Sequence, residues 1–181
     1  MNIIQEKLDE HMDYIKSCYA EPHRHYHTWQ HIEEMLAPLN RGINRFPEDP
    51  DGYEILLGVY FHDIVYDPKS STNEEDSSKI FKKLFKEVLS KQQLKRISTA
   101  ILDTKTHSYK PENKISHALC LLDLGIFTKP FARLMEFEDQ IRKEYSWVPK
   151  DIYLVERRKV LERFHARPEQ IEYMFHTIGK E

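Results

Sequence analysis

Several residues of this chain pair a metal-binding side chain with a setting in which such a side chain is costly to leave alone. His62 and Asp63 follow the apolar run Ile55 to Phe61, and the chain then turns through Tyr66-Asp67-Pro68 into a polar stretch. An imidazole and a carboxylate buried at the end of an apolar segment need a partner, and a metal ion is one such partner. His27 and His31 are four residues apart, so on a helix both lie on one face and can point at a common site. His107 stands at the end of another predicted helix. Asp123 sits inside Leu119-Cys120-Leu121-Leu122-Asp123-Leu124, where a carboxylate is seldom left without a partner. Imidazoles mixed with carboxylates suit Mn, Fe, Co, Ni or Zn better than calcium or magnesium, which prefer oxygen ligands alone. The competing reading is a helix that ends in a hydrogen-bonded His–Asp pair, and convergence of the distant residues decides between the two.

The elements that must position these groups read as helices. Only 5 glycines occur in 181 residues, and few short runs alternate. The apolar period predicts helices from Ile3 to Ser17, from Thr28 as cap to Leu39, and from Gly52 to Ile64, the last delivering His62 and Asp63. Asn40 to Asp51, with two prolines and a glycine, reads as loop. Ser70-Ser71-Thr72 followed by Asn73-Glu74-Glu75 reads as a cap with early acids that complement the helix dipole, opening a helix to Leu89. Ser90 caps the next, which runs to Lys105. Further helices are expected over Ile115 to Leu124, Pro130 to Tyr145, Lys150 to His165 and Pro168 to Phe175. With no repeat, linker or low-complexity tract, the expectation is one compact all-α domain over residues 1–181.

Composition bounds the partners. A net charge of -3 and 31% charged residues give no sign of a nucleic-acid surface, which shows as a basic excess. Arg157-Arg158-Lys159 is short and reads as a solvated face. No apolar run approaches the roughly 20 residues that span a bilayer, and the N-terminus lacks a signal-peptide pattern, so a cytoplasmic protein with no membrane partner is expected. Cys18 and Cys120 are too few for a disulfide framework or a thiolate zinc site. A surplus of aromatic residues on a helical domain admits a homodimer.

Taken in order, the pieces resemble a known family. His23-Arg24-His25-Tyr26-His27-Thr28-Trp29-Gln30-His31, Phe61-His62-Asp63-Ile64-Val65-Tyr66-Asp67, Asn73-Glu74-Glu75-Asp76-Ser77, Thr104-Lys105-Thr106-His107, Asp123-Leu124-Gly125-Ile126-Phe127 and Arg142-Lys143-Glu144-Tyr145 are similar to the recurring motifs of the HD-domain superfamily of metal-dependent phosphohydrolases, in particular its small bacterial members. The resemblance covers about residues 20–165. The chain departs from the pattern near Asp123, with Leu121 where a second acid is frequent and Thr128 in place of a glycine.

The resemblance implies an HD-type helical fold in which His31, His62, Asp63 and Asp123 hold one divalent transition-metal ion, with a second ion as a variant. It implies hydrolysis of a phosphoester of a small molecule, a nucleotide being the leading case, with Asp63, Glu74 and His107 as the residues for acid–base work or a second metal. Arg24 and Lys105 are then expected to grip phosphate, with His27 orienting a ligand or the substrate. Two alternatives stay open at this point: a nucleotide-binding regulatory module with little turnover, and a di-iron oxygenase of the same fold.

Overall fold

A computed structural model describes residues 3–42, 50–110, 112–164 and 166–178. Among them the secondary structure is helical throughout, with no strand: α1 (Ile3–Cys18), α2 (Trp29–Gly42), α3 (Pro50–Phe61), α4 (Asn73–Phe85), α5 (Lys91–Thr104), α6 (Lys114–Asp123), a 3-10 turn (Leu124–Thr128), α7 (Phe131–Glu144), α8 (Lys150–Arg163) and α9 (Pro168–His176). The all-α expectation holds. The loop expected over Asn40 to Asp51 is shorter, because α2 runs to Gly42 and α3 starts at Pro50; residues 43–49 lie outside the described residues, as does His165 at the expected end of the eighth helix. A single domain was expected over 1–181; within the chain two compact units are described separately, residues 1–124 and 125–181.

In the first unit the apolar stripes become one core. Leu8 and Ile15 of α1, Ile32 and Met35 of α2, Leu57 and Phe61 of α3, Phe81 and Phe85 of α4, Ile97 and Ile101 of α5 and Leu119 of α6 are all buried in one cluster. Phe61, Phe81 and Phe85 form a triangle of rings 5.5 to 5.6 Å apart, which fixes the end of α3 against α4 just before His62. The caps follow the sequence in part. Ser90 and Gln93 form a reciprocal capping box at α5, and Asn113 accepts the backbone N–H of Ser116 at α6. Thr72 precedes α4 but turns its hydroxyl to Asp76 instead of the backbone.

One close approach sets the spacing of the site. At Gly58 of α3 an added Cβ would stand 3.1 Å from Leu119 Cδ2 of α6, so the absence of a side chain lets the two helices meet. His62 lies one turn beyond Gly58, and Asp123 one turn beyond Leu119.

The second unit packs Leu134, Phe137 and Ile141 of α7 with Tyr153 and Leu161 of α8 and Met174 of α9. Inside it the fully buried Glu138 carboxylate accepts both Nε (2.9 Å) and Nη2 (2.8 Å) of Arg157 and the side-chain amide of Gln170 (2.7 Å). A charge so buried persists only when paired in this way.

Candidate metal centre

His62 and Asp63 stand just past α3 instead of inside it: the helix ends at Phe61, although the His62 N–H still donates to the Gly58 carbonyl at 2.9 Å. The turn frees Asp63 to face back towards His62. Nδ1 of His62 donates to the Val59 carbonyl at 2.9 Å, which fixes the tautomer and aims Nε2 into the site. There it meets Nε2 of His31, from α2, at 3.2 Å and Oδ2 of Asp63 at 3.0 Å. Oδ1 of Asp123, at the end of α6, lies 3.2 Å from Nε2 of His31 and 3.8 Å from Nε2 of His62. His31 and His62 are almost entirely buried, at 2% and 1% exposure, while the Asp63 and Asp123 side chains keep 13% and 17%.

The spacings from His62 to His31 and Asp63 fit a metal ion, and Asp123 stands at the edge of the group, in range of His31 but 3.8 Å from His62. Two donors bound to one ion at about 2.1 Å, at angles between about 90° and 110°, stand roughly 3.0 to 3.4 Å apart. His31, His62 and Asp63 together form a group able to hold an ion. In the metal-free chain a proton takes that place. Burial works against a charge on His62, yet the hydrogen-bonded Asp63 carboxylate and the nearby Asp123 outweigh it and lift the His62 pKa to about 9. Burial pushes Asp63 up, but the His62 charge and hydrogen bond dominate and hold it below the usual carboxylate range. Asp123 is likewise held well down against its burial, by hydrogen bonds from His107 and His31. For His31 burial prevails and its pKa falls, so one imidazole of the pair stays neutral.

Around this group stand two further histidines. His107 Nε2 meets Oδ2 of Asp123 at 2.8 Å, on the oxygen turned away from the imidazole pair. Its backbone has a φ of +50°, the one non-glycine residue with positive φ among those described. Histidine tolerates the left-handed region better than most residues but still at a cost of order 1 kcal/mol, which the contact with Asp123 offsets. His27 Nε2 lies 3.9 Å from Oδ2 of Asp63, and its ring stacks on Tyr66 at 4.0 Å between centroids.

No family model, curated protein or solved structure matches this chain. What bears on function is therefore the geometry itself.

The expected phosphate-gripping residues are engaged elsewhere. Arg24 is 4% exposed and donates from Nε to Glu21 (2.9 Å), from Nη1 to the carbonyls of His27 (3.2 Å) and Asp63 (2.7 Å), and from Nη2 to the Ile64 carbonyl (3.1 Å). Its guanidinium serves the protein backbone. Lys105 donates to both oxygens of Glu75 (2.7 and 2.9 Å) and to the Ser71 carbonyl, and lies 3.6 Å from Glu74. Glu74 and Lys105 thus meet each other where the start of α4 faces the end of α5. Asp67 acts as the turn-former its Pro68 neighbour suggests, accepting the Lys69 N–H at 2.9 Å.

Other supports were missed. Ser77 Oγ brackets Val65, accepting its N–H at 3.1 Å and donating to its carbonyl at 3.3 Å, and Asn73 exchanges two hydrogen bonds with the Asp67 backbone. Tyr26 leans on the His31 ring at 4.8 Å. The polar tract Asn73-Glu74-Glu75-Asp76-Ser77 carried a signal for the first two, since it mixes backbone-seeking side chains with an apolar stripe. A recess of about 800 Å3 lies between α5 and the segment after His107, lined by Arg96, Asp103, Ser108, Tyr109, Lys110 and Lys114 among others; it holds none of the converging histidines and aspartates.

Proposed function

We propose that this chain is a metal-dependent phosphohydrolase that cleaves a phosphoester of a small molecule, with a nucleotide as the first class to test. The observation that carries the reading is the group formed by His31, His62 and Asp63, with His62 Nε2 3.2 Å from His31 and 3.0 Å from Asp63, the separation expected of ligands that share one ion, and with Asp123 beside it at 3.2 Å from His31 and 3.8 Å from His62. His31, His62, Asp63 and Asp123 would hold the ion through two nitrogens and two carboxylates. A divalent ion so held lowers the pKa of bound water towards neutrality and offsets the charge of a phosphoryl group.

The chain's own residues then divide the remaining tasks. Val59 holds His62 in the tautomer that presents Nε2. His107, on the outer oxygen of Asp123, keeps that carboxylate in orientation and can exchange a proton with it. His27 is partly exposed beside Asp63, stacked on Tyr66, and is placed to donate to a phosphate oxygen or a leaving group. Arg24 hydrogen-bonds backbone carbonyls and Lys105 pairs with Glu75, so in this reading His27 is the first candidate to contact the anion.

The test is the metal content of protein purified without chelator, by elemental analysis, read with phosphate release from a generic phosphoester and a nucleotide panel under added Mn, Co, Ni and Mg. About one transition-metal ion per chain with metal-dependent release supports the reading. Metal without turnover points to a binding module, and absence of metal uptake sinks it.

A further inference from the structure

We infer that Arg24 is a positioning residue that holds the two halves of the metal centre together, an inference that rests on the metal reading above. The centre is assembled from separate stretches of chain. One, residues 21–31, carries His27 and His31; another, the turn after α3, carries His62 and Asp63. Asp63 and Ile64 lie past the last helical residue, so their carbonyls have no helical partners and sit in a partly buried place. A single guanidinium supplies those partners: Nη1 bridges the Asp63 carbonyl at 2.7 Å and the His27 carbonyl at 3.2 Å, and Nη2 takes the Ile64 carbonyl at 3.1 Å. The peptide that bears one ligand and the peptide that bears a neighbouring histidine are thereby fixed to the same rigid plane.

The plane itself is held. Tyr19 and Tyr66 flank it, with ring centroids 5.0 and 5.5 Å from the guanidinium carbon, and the Glu21 carboxylate takes Nε at 2.9 Å and balances the charge. Tyr66 also carries the His27 ring at 4.0 Å, so one tyrosine contacts both the guanidinium and the histidine. Lysine cannot replace this arrangement. Its ammonium has three donors in a fan and no face to lay between two rings, so it can serve one or two of the carbonyls and leaves the others adrift. Asp63 then gains freedom to turn away from His62, and donors 3 Å apart lose the register an ion requires.

The measurement is cobalt(II) titration of the metal-free full chain, followed by the visible d–d bands, for wild type, Arg24→Lys and Glu21→Gln. Arg157→Lys, at a buried ion pair in the other unit, serves as a control of matched structural character. Arg24→Lys is expected to keep its helicity by circular dichroism, to bind cobalt about 10- to 100-fold more weakly and to shift the band pattern. Glu21→Gln, at a half-exposed position that tolerates the change, keeps the three carbonyl bonds and is expected to lose only about threefold, roughly the effect of one weakened hydrogen bond. The control is expected to lose thermal stability with cobalt affinity unchanged. Wild-type affinity and spectrum in both Arg24→Lys and Glu21→Gln would overturn the positioning role alone; absence of cobalt binding by wild type would overturn the metal reading beneath it.

Discussion

Replacing His62 or Asp63 by Ala removes a donor from the group formed by His31, His62 and Asp63, while the helices keep their own hydrogen bonds and core. The expected outcome is loss of bound metal with unchanged helicity, read by elemental analysis beside circular dichroism; full metal occupancy with lost activity would contradict the ligand assignment. The same residue sets a pH dependence. With its pKa raised from 6.5 to about 9, His62 is charged at neutral pH in the metal-free chain. A raised value means that this charge stabilises the metal-free fold fully below pH 6.5, and that the contribution fades as pH climbs through about 9. Metal binding runs in the opposite sense, since the ion must displace the proton: affinity should rise about tenfold per pH unit up to that point. Calorimetry at pH 7.5 in buffers of different protonation enthalpy is expected to register release of about one proton per ion, and no release would refute the assignment. The candidate residues were legible from type and setting, since an aspartate inside Leu119 to Leu124 and a His-Asp pair after an apolar run both call for a partner, but the set of four came from the ordered motifs and not from spacing alone. The task of Arg24 was not legible. An arginine in a polar, irregular stretch reads as solvent-facing, and only the fold reveals that unpaired carbonyls past α3 come to rest beside it.

At the scale of the elements, the apolar period located every helix to within a few residues, since each stripe had one core to face. It failed at α3. The pattern runs on through Ile64, yet the helix stops at Phe61, where the Asp63 side chain turns to its neighbour His62 and the Asp63 carbonyl is taken by Arg24, 39 residues away in sequence. The contact of α3 with α6 is where helix packing controls the donors. Gly58→Val would set a branched side chain 3.1 Å or less from Leu119 and part the two helices one turn before His62 and Asp123. Expected effects are a loss of about 1 to 3 kcal/mol of stability from overpacking and metal affinity lower by about an order of magnitude. Gly58→Ala should do less, as the better helix propensity of alanine, about 1 kcal/mol, offsets part of the strain. Thermal melts with and without metal measure both; wild-type affinity in the valine variant would show that the helix spacing does not govern the site.

For the whole molecule, all the converging residues fall within residues 1–124, and the second unit is organised around the buried Glu138–Arg157 pair. The sequence hid the buried pair because Arg157 lies in a basic run that reads as surface. Each unit carries one tryptophan, Trp29 and Trp147, so fluorescence of single-tryptophan variants follows them separately. Arg157→Leu leaves the buried Glu138 without a counter-charge, held by the Gln170 amide alone, and is expected to cost the second unit about 3 to 5 kcal/mol; an unmoved Trp147 transition would show that the pair is dispensable. No helix among the described residues is long and apolar enough to cross a membrane. Finally, His31, the adjoining pair His62-Asp63, and Asp123 are far apart along the chain, His31 and His62 being 31 residues apart. An ion joined to all of them is topologically a staple that closes two successive loops, and loops of this size lose roughly 3 to 4 kcal/mol worth of unfolded-state entropy when cross-linked. Stripping the ion should therefore shorten the lifetime of the fold against protease before it alters its shape, so that the clock of digestion, with chelator and without, reads the presence of the ion even where no reaction is known.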